Sequence, residues 1–107
     1  MNVTNEARLH DALAAVTSAY HLVLDGEPRE GAAYRYIGES HVYESDIPIM
    51  TRENYQVYVF QREYSPELIA KARQSLIDAG FALQQGGQAM EGDYYRDELR
   101  ASREKEE

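Results

Sequence analysis

The chain has 107 residues, of which 43% are hydrophobic and 28% charged, with no cysteine and a formal net charge of −8 at pH 7. These values fit one folded domain with a modest core, and they exclude a disordered chain, disulfides and thiolate metal sites. The acidic balance has the wrong sign for holding a phosphate backbone, so we expect no sequence-specific binding of nucleic acid. The chain lacks an apolar run of the roughly 20 residues that a membrane-spanning helix needs and lacks a recognisable export signal, so we expect no membrane association.

The first predicted element is a helix between Asn5 and Ala19, which Thr4 or Asn5 can cap. Its apolar residues recur at spacings of three and four, which places them on one helical face: Leu9, Ala12, Leu13 and Val16. A short strand from Tyr20 to Leu24 follows, and Asp25-Gly26 predicts a turn at its end.

The middle of the chain predicts a sheet with a projecting segment. Ala33–Ile37 has the composition of a strand, and Gly38 interrupts it. From Glu39 to Asn54 the alternation is irregular, and Pro48 cannot donate a ladder hydrogen bond. We therefore predict an arm or a long hairpin over residues 39–54.

The strongest strand pattern in the chain is Tyr55–Tyr64. Alternation places two sets of apolar side chains on opposite faces, namely Tyr55, Val57 and Val59 on one and Tyr58 and Phe60 on the other. Because both faces are apolar, we predict that this is a central strand.

A second helix is predicted from Ser65-Pro66-Glu67 to Ala79. The serine hydroxyl can accept an unpaired backbone N–H, and proline at the first helical position has none to satisfy. Gly80 provides a left-handed exit. The predicted buried stripe consists of Leu68, Ile69, Ala72, Leu76 and Ile77.

Two strands joined by a glycine turn are predicted to close the fold. Phe81–Gln84 begins the first strand, and Gln85-Gly86-Gly87-Gln88 predicts the turn. Residues from Glu91 onward also tolerate a helix. Because the hairpin needs a second strand, and because Tyr95, Leu99 and Ala101 fit one strand face, we predict a strand over residues 94–101.

These elements predict one α+β domain over residues 1–101. Its antiparallel sheet has four to five strands, and both helices pack on one face. Residues 102–107 are predicted to form a charged tail that buries nothing and frays.

Residues with catalytic or metal-binding chemistry do not form a recognisable motif. The histidines lack the spacing of a familiar metal site: His10, His21 and His41. The densest polar cluster, which we interpret as a solvated loop, is Glu39, His41, Glu44 and Asp46. The residue types of a hydrolytic triad occur, without a nucleophile elbow, at Ser18, His21 and Asp25. We therefore expect no enzyme activity, no cofactor and no metal ion.

The composition favours contact surfaces instead. Nine tyrosines are present, and tyrosine combines a large ring with a hydroxyl group in the way that interface residues often do. The arm is also more apolar than a solvated loop needs to be. The candidate oligomer or partner interface consists of Tyr43, Ile47, Ile49 and Met50.

The order of elements resembles that of the small tail-completion, or tail-terminator, proteins of long-tailed bacteriophages. The resemblance spans residues 33–103 as a pattern without a signature motif. Its segments are Ala33-Tyr34-Arg35-Tyr36, Val42-Tyr43-Glu44-Ser45-Asp46, Tyr55-Gln56-Val57-Tyr58-Val59-Phe60, the helix from Ser65-Pro66-Glu67-Leu68-Ile69 to Asp78-Ala79-Gly80-Phe81, and Asp93-Tyr94-Tyr95-Arg96. The chain departs from the pattern in the last strand, where Asp97, Glu98 and Ala101 replace the expected apolar residues.

This resemblance implies a structural virion protein of the tail or neck, assembled in the host bacterial cytoplasm. It would form a ring, expected to be a hexamer, that caps the tail tube and joins it to the head connector. The implied partners are other copies of the chain, the tail-tube protein and a head-completion protein. If acids line the hole of the ring, they would repel phosphates and let the genome slide through.

Two other functions stay open from the sequence. The first is a head-closure or adaptor protein of the neck. The second is a small cytosolic regulatory α+β domain that binds a ligand or a partner.

Overall fold

The computed structural model describes residues 3–23 and 26–106. These residues form two helices and five strands in the order α1 (Asn5–Ala14), β1 (Ala19–His21), β2 (Gly31–Glu44), β3 (Ile47–Gln61), α2 (Pro66–Asp78), β4 (Ala82–Glu91) and β5 (Tyr94–Glu104). The strands lie in the order β1-β2-β3-β5-β4, so β3 is central as predicted. The predicted α+β class is confirmed. The sheet is mixed rather than wholly antiparallel, because β1 pairs with β2 in parallel.

Both helices begin where the sequence predicts, because a side chain caps each start. Thr4 Oγ1 accepts a hydrogen bond from Ala7 N at 3.0 Å, and Ser65 Oγ accepts one from Leu68 N at 3.4 Å. Gly80, with φ of 93°, makes the left-handed exit from α2. In the described ranges, no helix has both the length and the apolar content that a membrane crossing requires.

The first helix and the first strand are both shorter than predicted. α1 ends at Ala14, because Val16 N and Thr17 N both donate to Leu13 O and turn the chain toward β1. β1 ends at His21. The predicted end of that strand at Leu24 and the predicted turn residue Asp25 lie outside the described residues.

The core lies between the two helices and one face of the sheet. It is built from Leu9, Ala12, Leu13, Ala32, Tyr34, Tyr55, Val57, Val59, Ile69, Leu76, Phe81, Leu99 and Ala101. The predicted division of β3 into two faces is confirmed, since its odd-numbered residues 55, 57 and 59 all belong to this core. Ile77 was predicted to be buried but is 49% exposed. It lies about 100° around the helix from Leu76, beyond the edge of the buried stripe.

The C-terminal hairpin has its turn in a different place from the prediction. β4 continues through Gly86 and Gly87, where the pairing with β5 shifts register, and the turn lies at Gly92-Asp93. A Cβ on Gly86 would stand 2.6 Å from an Oε1 atom of Glu98, so glycine is needed there for close packing. The predicted strand from Tyr94, rather than a helix, is confirmed.

The segment that was predicted to be a frayed tail is bonded to the rest of the chain. β5 continues to Glu104, three residues past the predicted boundary. Arg103 Nη1 donates to Asn5 Oδ1 at 2.9 Å and to Glu106 Oε1 at 2.6 Å. Lys105 Nζ lies 2.8 Å from Glu39 Oε1. Asn5 and Glu39 are distant from the tail in sequence, which is why charge alone predicted a solvated tail. Glu107 lies outside the described residues.

Candidate assembly surfaces

β2 and β3 extend beyond the rest of the sheet as a two-stranded arm, residues 38–51. β5 pairs with β3 only as far as Arg52, and β1 pairs only with residues 32–34 of β2. Apart from a hydrogen bond from Lys105 N to Thr51 O at 2.8 Å at its base, the arm strands therefore pair only with each other. The arm ends in a two-residue turn in which Ser45 and Asp46 have φ of 51° and 66°. Positive φ at both positions is the type I′ geometry that matches the twist of paired strands. The arm predicted over residues 39–54 is thus a hairpin.

The arm exposes the side chains that the sequence indicated as a contact surface. Tyr43, Ile47 and Ile49 are 59%, 64% and 57% exposed, and Met50 is partly buried. Val42, which the sequence prediction did not include, is also exposed. The arm therefore holds an uncovered group of large apolar side chains away from the core. Its use as an interface stays a prediction.

The polar residues of the arm do not converge on one point. His41 Nδ1 lies 3.0 Å from Thr51 Oγ1, while Glu39 is held by Lys105 at the base of the arm. Glu44 and Asp46 lie at the tip, and neither has a cationic partner within 4.0 Å among the described residues. The tip is therefore both apolar and negatively charged.

The second surface, here called the open face, is the side of the sheet opposite the helices. Alternation places Arg35 of β2, Gln56 and Tyr58 of β3 and Arg100 of β5 on it. Six of the eleven lysine and arginine residues of the chain lie on this face or against its rim: Arg29, Arg35, Arg52, Arg62, Arg96 and Arg100. The open face and its rim thus carry about half of the basic residues of an acidic chain, beside Glu98 of β5. The sequence prediction missed this surface because it depends on the strand register.

Hydrogen bonds hold the centre of the open face in place. Arg35 Nε donates to Gln56 Oε1 at 2.8 Å, and Gln56 Nε2 donates to Tyr58 OH at 3.0 Å and to Glu98 Oε2 at 2.5 Å. Arg100 Nε lies 3.6 Å from the same Glu98 oxygen. Because these side chains are fixed before any partner arrives, contact with them would cost little conformational entropy.

One end of the open face forms a pocket of about 470 Å³. Tyr58 and Phe60 provide its aromatic floor, and residues 20–23 and 26–29 provide a wall. Phe60 is buried and meets the rings of Tyr58 and Tyr94 edge to face. Val23 on the wall is 66% exposed. The pocket thus combines an aromatic floor with a lining that includes Glu27 and Glu91, and it opens to solvent.

Arg96 gives this pocket a hydrogen-bonding group. Its guanidinium carbon lies 4.8 Å from the centre of the Tyr58 ring, and its Nη1 lies 3.2 Å from Glu91 Oε1. Its buried Nε has no hydrogen-bond partner among the described residues. Arg29 stands on the opposite wall, 4.0 Å over the ring of Tyr20. An apolar floor beside two guanidinium groups suits an apolar side chain that is accompanied by an acceptor or a carboxylate.

Tertiary structure also joins two histidines that the sequence left apart. Tyr34 OH lies 2.8 Å from His10 Nδ1 and 3.5 Å from His21 Nε2, and His21 Nδ1 lies 3.6 Å from Glu6 Oε1. Burial raises the pKa of Tyr34, and the nearby charges of Glu6 and Asp11 raise it further. A tyrosine that keeps its proton serves as a hydrogen-bonding link, so this cluster ties α1 to β1 and β2.

The structure gives no further grouping to the other polar residues that the sequence singled out. Asp25, the third residue of the triad types, lies outside the described residues. Within residues 3–23 and 26–106, no group of three or more histidine, aspartate or glutamate side chains is placed to hold a metal ion.

No model of a known protein family matches the chain, and no curated protein matches it. Function therefore has to be argued from the arm, the open face and the pattern of residues 33–103.

Proposed function

We propose that the chain is a structural protein that assembles into a closed ring, and that this ring is the tail terminator of a long-tailed bacteriophage. The observation that carries the proposal is the arm, whose Tyr43, Ile47 and Ile49 are each more than half exposed. A stable small protein rarely keeps several large apolar side chains in water unless they form a contact. The ring would cap the tail tube and present its other side to the head connector.

The arm and the open face together supply what a ring requires. A head-to-tail interface needs two different patches on each subunit, and a ring results when the rotation between subunits closes. The arm tip is apolar and carries Glu44 and Asp46, whereas the open face is aromatic and rich in arginine. The two patches differ in chemistry and complement each other in charge.

The charge distribution also separates the subunit contacts from the hole of the proposed ring. Arginines lining a hole would hold DNA by releasing counterions from its phosphates. Since six of the eleven basic residues lie on or against the open face, we assign this face to contacts between subunits. The remaining surface is strongly acidic and is the one we expect to line the hole.

Native mass spectrometry and electron microscopy of the purified chain test the assembly function. We expect six-membered rings with a central hole, and little retention of DNA on them at moderate salt. Ile47→Asp and Ile49→Asp should give a folded monomer, because each places a charge in the contact. Ile77→Asp, at an exposed position of α2, is the matched control and should leave the ring intact. A wild-type chain that stays monomeric at every accessible concentration overturns the proposal.

Copurification identifies the position of the ring in the virion. A terminator should retain tail-tube protein, and binding to a portal protein instead would favour the adaptor function. Both results require an assembled ring, so this experiment follows the mass measurement.

A further inference from the structure

The arm tip and the pocket have matching chemistry. The tip carries two carboxylates and no basic residue between positions 42 and 50, beside the exposed side chains of Tyr43 and Ile47. The pocket has an aromatic floor, and its lining carries Arg29 and Arg96 together with the acids Glu27 and Glu91. Arg96 is paired with Glu91, whereas Arg29 has no carboxylate within 4.0 Å in the described part of the chain. The tip therefore offers apolar side chains to the floor and a carboxylate to Arg29.

The two surfaces lie at opposite ends of the molecule. Ile47 begins β3 at the arm tip, and Phe60 stands near the other end of the same strand in the pocket floor. At about 3.3 Å per residue, these two positions are roughly 40 Å apart along the strand. The longest dimension of the chain is 48 Å. The arm therefore cannot fold back into the pocket of its own chain. An arm tip that fills this pocket must come from another copy.

We infer that the arm tip of one copy seats in the pocket of a second copy. The apolar side chains of the tip cover the floor formed by Tyr58 and Phe60, and the tip carboxylates face the guanidinium groups of Arg29 and Arg96. Bonds from the exposed nitrogens of these guanidinium groups to the tip carboxylates would be charge-assisted, and such bonds are the strong ones. The inference rests on the proposed assembly function and specifies the contact through which assembly occurs.

Disulfide mapping tests the contact directly, because the chain has no cysteine of its own. Val23→Cys places a thiol on the exposed pocket wall, and Ile47→Cys places one at the arm tip. Mixing the two single variants and oxidising them should give a covalent pair with one copy of each. The matched control mixes Ile47→Cys with Ile77→Cys on the outer side of α2, and it should give at most a tenth of that product.

Charge reversal provides a second test that does not depend on cysteine. Arg96→Glu should raise the concentration at which assembly is half complete by at least tenfold. Adding Asp46→Arg to the same chain should recover most of that loss, since it restores opposite charges across the contact. Lys71→Glu, an exposed reversal on α2, makes the same change in net charge and should have little effect. Circular dichroism of each variant establishes that it is folded before assembly is compared.

The outcomes separate this contact from the assembly function. A cross-link between positions 23 and 47 within six-membered rings supports both. Rings that form without this cross-link, and that tolerate Arg96→Glu, overturn the contact and leave the ring function standing. If the cross-link forms only in dimers whose two copies exchange arms, and no larger species appears, the contact is supported and the proposed ring is overturned. Absence of any association overturns both.

Discussion

The two halves of the β2–β3 hairpin have the same strand pairing but opposite surroundings. Residues 32–34 and 55–60 have a neighbouring strand on each side and the helices on one face, and we call this part the core half; the arm, residues 38–51, has neither flanking strands nor helices. The ladder continues through both halves, interrupted only by register shifts after Tyr36 and after Val42. Strand pairing therefore does not decide burial in this molecule. The layer of helices on the core half decides it, and the half that this layer does not reach keeps most of its side chains exposed.

The largest expected effect comes from comparing one substitution in the core half with one substitution in the arm half. Val57 is fully buried in the core half, so Val57→Asp places an unpaired charge there and should cost several kcal/mol, enough to unfold the chain. At concentrations where the wild type is monomeric, Ile49→Asp in the arm half should change the free energy of unfolding by less than about 0.5 kcal/mol. Urea denaturation of both variants measures this difference. Unfolding by Ile49→Asp would place the arm within the core.

The next effect compares packing on the two sides of one bulge. Gly86→Ala brings a Cβ to 2.6 Å from an oxygen of Glu98, and Glu98 is itself held by Gln56 and Arg100. We expect a loss of about 1–3 kcal/mol in the free energy of unfolding. Gly87→Ala has open space around its added methyl group and should stay within about 0.5 kcal/mol of wild type. Equal losses at both positions would mean that backbone conformation, rather than contact with Glu98, requires the glycines.

A smaller effect tests the cost of a buried charge on β5, the strand that pairs with the core half. Asp97 is 4% exposed, and the hydrogen bond it accepts from Gln88 Nε2 is long, at 3.5 Å. Burial raises the pKa of this carboxyl group above its usual value, and the bond from Gln88 opposes that shift. The folded chain therefore holds this proton more tightly than the unfolded chain. As a result, this group lowers the free energy of unfolding as the pH rises through the raised pKa.

Asp97→Asn should accordingly stabilise the chain by about 1 kcal/mol at neutral pH. The gain should disappear near pH 3, below the usual pKa of aspartate, where the wild-type carboxyl group is protonated in both states. Thermal melts of both proteins across that pH range measure the difference in stability between variant and wild type. The other acidic groups contribute equally to both proteins and therefore drop out of this difference. A gain that persists unchanged at acid pH would assign the effect to packing instead of charge.

The smallest effect concerns the turn of the arm. Ser45 and Asp46 adopt the positive φ values of a type I′ turn, for which Asn-Gly is the preferred sequence. Replacing them together by Asn and Gly should stabilise the arm by less than about 1 kcal/mol. Hydrogen exchange should then slow for arm amides and stay unchanged for amides of the core half. Equal slowing in both halves would mean that arm and core open together.

Local patterns predicted much of the fold and of the arm. The caps at Thr4 and Ser65, the two faces of residues 55–60 and the exposed group at Tyr43, Ile47 and Ile49 are all where the sequence placed them. Each of these features depends on residues only a few positions apart. The arginine-rich open face and the pocket were not predicted, because their members come from different strands and a loop.

The amino-acid sequence by itself determined where the helices start, how the side chains of the central strand divide between its two faces and which apolar side chains of the arm stay outside the core. Capping bonds and alternation along a strand are local, so they can be recognised without knowing what packs nearby. Only the tertiary structure decided the parallel pairing of the edge strand, the turn at Gly92-Asp93 and the position of the arginines on one face. These features follow from strand register, and register is set by contacts between residues far apart in the chain.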